Sequence, residues 1–139
     1  IKGDGEAERI IEAKEGIVLC TGASPITPSI PGLQEVDYLT YESVWEMKDL
    51  PKRLTIVGGG PIGCELAQAF ARLGSKVTVV ANSLLPREEP EVGKILREVF
   101  EDEGITIIEG RLTEVSKSED GRGHKASVSS GTVVEGDVL

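Results

Sequence analysis

Gly58, Gly60 and Gly63 follow the β-branched apolar run Leu54-Thr55-Ile56-Val57 and open a helical pattern at Pro61. A G-x-G-x-x-G pattern gains its meaning from that setting, a strand before it and a helix after it. Gly58 is expected to permit the tight turn. Gly60 has no side chain, so a pyrophosphate can approach the backbone. Gly63 lets the helix pack closely on the sheet. The N–H groups at the helix start, at the positive end of the dipole, would then hold the phosphates. The segment Gly58-Gly59-Gly60-Pro61-Ile62-Gly63 thus predicts a dinucleotide site rather than a bare glycine-rich turn.

Which dinucleotide depends on the end of the next strand. An NAD site places Asp or Glu there, on the ribose 2′-hydroxyl. This chain has Val80-Ala81-Asn82-Ser83, with no acid. The absence of a carboxylate permits a 2′-phosphate, and Arg87 could supply a cation or stand as a solvated surface arginine. The expectation leans to NADP(H), with NAD(H) left open.

These residues need an α/β frame. Leu54–Val57 reads as a strand buried on both faces. Residues 61–73 read as a helix with Ile62, Leu66, Ala69, Phe70 and Leu73 at helical spacing, and Gly74 stands at its stop. Lys76–Val80 is a second strand. Residues 90–103 form a second helix with Pro90 near its first position and Val92, Ile95, Leu96 and Val99 on one face. Residues 105–108 are a third strand. Residues 111–134 alternate apolar and polar positions between Gly121, Gly123 and Gly131, which predicts an antiparallel β-meander. Upstream, residues 10–14 and 17–20 read as a hairpin around Glu15-Gly16. Pro25, Pro28 and Pro31 impose an extended connector. Residues 40–47 suggest a short helix with Ser43 and Glu46 at capping-box spacing.

The remaining chemistry-bearing residues attract plainer readings. Cys64 is expected to be a small packing residue of the first helix, and Cys20 a buried strand residue. His124 falls between glycines and reads as a surface turn residue. Trp45 is expected to pack the connector helix on the core. The acids Glu98, Glu101, Asp102 and Glu103 form a solvated helix face. Two distant cysteines and one histidine make no metal cluster. The chain has 139 residues, 39% of them hydrophobic and 28% charged. Its net charge of −9 argues against a nucleic-acid partner, which requires clustered Lys and Arg. No apolar run approaches the roughly 20 residues that span a bilayer, so no membrane partner is expected. Cysteine usage suggests a reducing, cytoplasmic setting. Residue 1 is Ile, and Gly136-Asp137-Val138-Leu139 reads as the opening of a buried strand, so a piece of a larger protein is expected.

The stretch Gly58-Gly59-Gly60-Pro61-Ile62-Gly63-Cys64-Glu65-Leu66-Ala67 resembles the second nucleotide-binding fingerprint of the pyridine nucleotide–disulfide oxidoreductases, flavoproteins that include lipoamide dehydrogenase, glutathione reductase and mercuric reductase. Leu85-Pro86-Arg87-Glu88-Glu89-Pro90-Glu91-Val92-Gly93 is similar to the mercuric reductases. Leu19-Cys20-Thr21-Gly22-Ala23-Ser24-Pro25 resembles the ATG motif that closes the first half of the FAD domain, with Cys20 in place of the usual Ala. Glu135-Gly136-Asp137-Val138-Leu139 resembles the strand that re-enters that domain. Asn82 stands where mercuric and glutathione reductases tend to carry an arginine.

The resemblance implies a Rossmann-like FAD/NAD(P)-binding fold, a parallel sheet with helices on its faces plus the β-meander. It implies that residues 1–50 end the first half of an FAD domain and its connector, and that residues 51–139 form the NAD(P)-binding domain. Glu65 would lie near the nicotinamide. Thr21 and Gly22 would face FAD in the larger protein. Hydride would pass from NAD(P)H to FAD and on to a redox cysteine pair outside this chain, and then to a disulfide or mercuric ion. The larger protein would be a homodimer through a C-terminal domain. This chain alone would catalyse nothing. A non-catalytic Rossmann sensing module is the alternative, but it has no need of FAD-domain connectors at both ends. A short dehydrogenase would need Tyr-x-x-x-Lys; Tyr38 is followed by Glu42 and Tyr41 by Trp45. A methyltransferase would need an acid after the second strand.

Overall fold

The computed structural model describes residues 10–139. Its centre is β1 (Arg53–Val57), α1 (Pro61–Leu73), β2 (Lys76–Ala81), α2 (Pro90–Asp102) and β3 (Thr106–Glu109). The three strands are parallel in the order β1-β2-β3, with Arg53 opposite Lys76 and Thr78 opposite Thr106. Parallel neighbours require crossovers, and each helix supplies one. Along β2 the side chains alternate between two cores. Val77, Val79 and Ala81 join Cys64, Ala67 and Phe100 on the helix side. Val80 joins Leu112, Val115, Ala126 and Val134 on the other. Both faces are covered, which is why Val77, Val79, Val80 and Ala81 put apolar side chains on both sides of the strand.

The second cover is an antiparallel sheet of β4 (Leu112–Lys117), β5 (His124–Val128) and β6 (Val133–Gly136), in that order, with a register shift between Leu112 and Glu114. The expected meander is therefore present as three strands. After β6 the chain turns back along β1, where Leu54 and Val138 form a parallel bridge and Thr55 N–H donates to Val138 O at 2.9 Å.

Helix α1 starts with Pro61 and stops at Gly74, which adopts φ 109°, while Ser75 N–H closes on Phe70 O at 3.0 Å. Its buried face differs from the expected stripe. Cys64 and Ala67 touch the sheet, whereas Ile62 and Leu73 are 49% and 67% exposed. Small side chains at the contact allow the close approach that Gly63 demands. In α2 likewise Phe100 is fully buried, while Val92 and Ile95 are exposed. Glu103 follows α2 and accepts from Arg72 at 2.6 Å and Gln68 at 3.1 Å. One member of the acidic face thus ties the two helices together, and the Arg72 guanidinium holds its carboxyl below the usual carboxylate range.

Four upstream expectations are corrected. Residues 10–20 form no hairpin and are exposed; a lone two-stranded hairpin is marginal in water, and no described element packs on this one. Cys20 is accordingly exposed. The helix expected over 40–47 is a 3₁₀ turn at Val44–Glu46, and Ser43 makes no capping bond to it. Instead Ser43 Oγ accepts from Thr40 N–H at 2.9 Å. Trp45 is 76% exposed, and Val44 takes the buried place. The proline-rich connector does run without regular structure to a second 3₁₀ turn, Leu33–Glu35, whose Leu33 enters the core against β4.

His124 is the fifth correction. It opens β5, is 1% exposed, and its Nε2 lies 2.9 Å from Thr55 Oγ1 on β1. Stacking the antiparallel sheet on the parallel one buries a residue that would be a surface turn in isolation.

Candidate functional site

At the carboxyl end of β1 the chain turns on four glycines, whose surroundings differ. Gly58 adopts φ 108°, a region that L side chains rarely enter, and its N–H donates to Val80 O at 2.9 Å. Gly59 lies against the loop after β2; a methyl there would collide with the Ser83 carbonyl and come within 3.1 Å of the Ala81 side chain. Its own carbonyl accepts from Leu85 N–H at 2.6 Å and from the Cys64 thiol at 3.4 Å. A methyl at Gly63 would stand 2.5 Å from the Gly58 carbonyl oxygen. The helix start is therefore folded tightly back onto the strand end.

Gly60 is the exception. Its backbone, φ −73° and ψ 173°, suits any residue, and a methyl there would meet nothing within 4 Å. It is the N-cap of α1 and offers no side-chain cap. Pro61 follows, where a missing N–H costs nothing. The Ile62 and Gly63 amides make no backbone hydrogen bond among the described residues, and the space over Gly60 is open, the arrangement that an anion requires. A cleft of about 430 Å³ adjoins this turn, lined among others by Val57, Gly58, Gly60, Ile62, Leu66 and Phe70. Ile62, Leu66 and Phe70 of α1 form one wall of it.

Ala81 is buried at the end of β2, and Asn82 and Ser83 are exposed beside it. A recess of about 360 Å³ opens there, lined by Asn82, Ser83, Lys94, Arg97 and Glu109 among others. Lys94 and Arg97 come from α2 and did not stand out in the sequence. Gly93 brings them in, since a methyl at that position would be 2.7 Å from Leu84 O. Arg97 donates to Glu109 at 2.6 Å. Arg87, the cation singled out above, is exposed and lines neither cavity. Leu85 holds φ 47°, unusual for a branched residue, and its bond to Gly59 straps the two loops together.

Glu65 is exposed on α1. Thr21 and Gly22 lie in the irregular upstream segment, Gly22 at φ 85°, and line neither cavity. Cys64 is buried as expected, and burial pushes its thiol up, which suits packing rather than nucleophilic work. No group of three or more His, Cys, Asp or Glu side chains able to hold a metal occurs among the described residues. No helix among them is long and apolar enough to cross a membrane.

Comparison with known proteins agrees with this frame. The profile of the pyridine nucleotide-disulphide oxidoreductases matches residues 2–139. A mercuric reductase of Streptomyces lividans is 48% identical over 91 residues, 65% of this chain and 19% of that protein. The chain therefore spans about a fifth of the length of that curated relative. The HOCl-induced flavoprotein disulfide reductase RclA from Escherichia coli superposes with a TM-score of 0.76 at 31% identity, over 86% of this chain and 28% of its own. LpdA from Mycobacterium tuberculosis gives a TM-score of 0.70 at 34% identity, over 86% and 26%. The parallel sheet, its helices and the antiparallel cover form a Rossmann-like fold shared with these flavoprotein oxidoreductases, and the chain belongs to the pyridine nucleotide-disulphide oxidoreductase family.

Proposed function

We propose that this chain is the NAD(P)H-binding part of an FAD-dependent oxidoreductase that acts on a disulfide or on mercuric ion. The observation that carries the reading is Gly60: an uncapped helix start, ordinary backbone angles and open space where a side chain would be. The pyrophosphate would lie over Gly58–Gly63, against the N–H groups of Ile62 and Gly63. Ala81, Asn82 and Ser83 would flank the adenosine ribose, with Arg87 at its rim. Glu65 would orient the nicotinamide. Residues 51–139 would make up this domain, and residues 1–50 would belong to the FAD domain and its connector, with Thr21 and Gly22 toward FAD. The bound dinucleotide supplies a hydride, which in the larger protein would reach FAD and then a redox cysteine pair outside this chain. The larger protein would work as a homodimer. The mercuric reductase relatives support the mercuric ion as acceptor, and RclA and LpdA support a broader disulfide reductase reading.

The test is a titration of the chain with NADPH and with NADH, followed by intrinsic fluorescence, beside Gly60→Val. A Cβ fits the Gly60 backbone and meets nothing within 4 Å, so the variant is expected to stay folded, which its thermal midpoint checks. Saturable binding by the native chain and its loss in the folded variant are expected. Equal affinity in the two proteins overturns the assignment.

A further inference from the structure

His124 joins the two sheets through one bond, Nε2 to Thr55 Oγ1 at 2.9 Å. Its other ring nitrogen, Nδ1, is buried with no hydrogen-bond partner among the described residues. An orphaned buried N–H is rarer than an under-used lone pair, so the ring is neutral with its proton on Nε2, donating to the threonine. The pocket around it is closed. A methyl at Gly136 would lie 2.5 Å from the His124 ring at Cε1 and 2.8 Å from Thr55 Oγ1. The backbone at Gly136 thus lies directly on the ring.

A second proton would fare badly in this place. It would put a second donor on Nδ1, where no acceptor waits, and a charge in a closed apolar joint. The charged groups around the ring give no relief. Arg53, on β1, repels an imidazolium. Asp137, just after β6, attracts one, but its carboxylate already accepts from Arg53 N–H at 2.9 Å, Nε at 3.0 Å and Nη2 at 2.7 Å. Lys117, on β4, pairs with His124 in the antiparallel register and is exposed to solvent. Burial first, then Arg53, hold the imidazole below its ordinary value, and Asp137 pulls weakly the other way. A charged ring can reach water only if the end of β6 lifts from β1.

We propose that His124 is a proton-operated bolt between the antiparallel sheet and β1, closed as the neutral imidazole and opened by its protonation. The sign follows from linkage. The opened state takes up a proton at the ordinary histidine value, about 6.5, while the closed state resists until lower pH. The bolt is fully closed above that value and loosens as pH falls below it. The proposal does not depend on which ligand the glycine turn accepts.

Amide hydrogen exchange tests it, measured from about pH 7.5 to about pH 5.5 and corrected for intrinsic exchange. Protection of β4–β6 and of Thr55 and Val138 should fall by up to about tenfold, the ceiling for one proton over this range, while β2 and α1 keep theirs. His124→Gln, which keeps a neutral side chain able to reach Thr55, should remove the pH dependence. Protection that does not change with pH in the native protein, or that changes as much in the glutamine variant, overturns the bolt. If that variant fails to fold, an NMR titration of the native imidazole decides: a midpoint below the ordinary value, moving with loss of β6 protection, supports it, and a midpoint at or above that value overturns it.

Discussion

At the scale of single residues, the glycines of the turn separate into those that the fold needs and the one that it does not. Gly59 and Gly63 are closed in by the carbonyls of Ser83 and Gly58, and Gly60 faces nothing. Gly63→Val should therefore destabilise the protein by about 1–3 kcal/mol, the usual cost of forcing extra volume into a packed contact. Urea unfolding of both variants checks this; a Gly63→Val midpoint equal to that of Gly60→Val would show that the strand end and the helix are not pressed together. The three spaced glycines could be read in the sequence because their pattern encodes a backbone path. The partner of Gly59 could not, because Ser83 reaches it from the loop after β2. His124 was misread for a similar reason: flanking glycines suggest a turn, and only the stacking of a second sheet buries the ring. Lys94 and Arg97 were hidden because nothing local marks α2 as bordering the recess, and the approach that Gly93 sets depends on the Leu84 carbonyl, which reaches it from the loop after β2.

At the scale of elements, strands and helices emerged from periodicity and stop signals nearly where the structure has them. α1 runs from Pro61 to Leu73 as expected, and α2 ends one residue earlier than expected. What periodicity did not provide was the direction of each face. Both helices carry more apolar residues than the sheet can cover, so the choice of Cys64 and Ala67 over Ile62 and Leu73 follows from how close the backbone must come. Phe100 is the one large side chain of α2 that is wholly buried. Phe100→Ala should thus cost about 3–5 kcal/mol, whereas Ile95→Ala, at an exposed position, should shift stability by about 0.5 kcal/mol or less. Chemical denaturation of the two variants compares them directly, and similar losses would mean that the burial pattern of α2 is wrong. Upstream, two short apolar runs around Glu15-Gly16 suggested a hairpin at 10–20, but strand pairing needs a surface to rest on, and none of the described elements offers one.

At the scale of the whole molecule, helices cover one face of the parallel sheet and an antiparallel sheet covers the other. Val80 and Ile108 point into one core, and Val79 and Ile107 into its opposite. This layering places the carboxyl ends of β1 and β2 at an open rim, where crevices of open α/β sheets take ligands. The composition bounded the class of the molecule, and the motifs pointed to the family. Neither could show that the rim is shaped by two strapped loops, with Leu85 donating to Gly59, rather than by the glycine turn alone. The most direct measurement is an amide NMR map of the chain titrated with NADPH. The account predicts shifts concentrated at residues 58–64 and 81–85, on the two loops of one rim. A saturable titration whose shifts fall elsewhere and leave Gly58–Gly63 unmoved would contradict it.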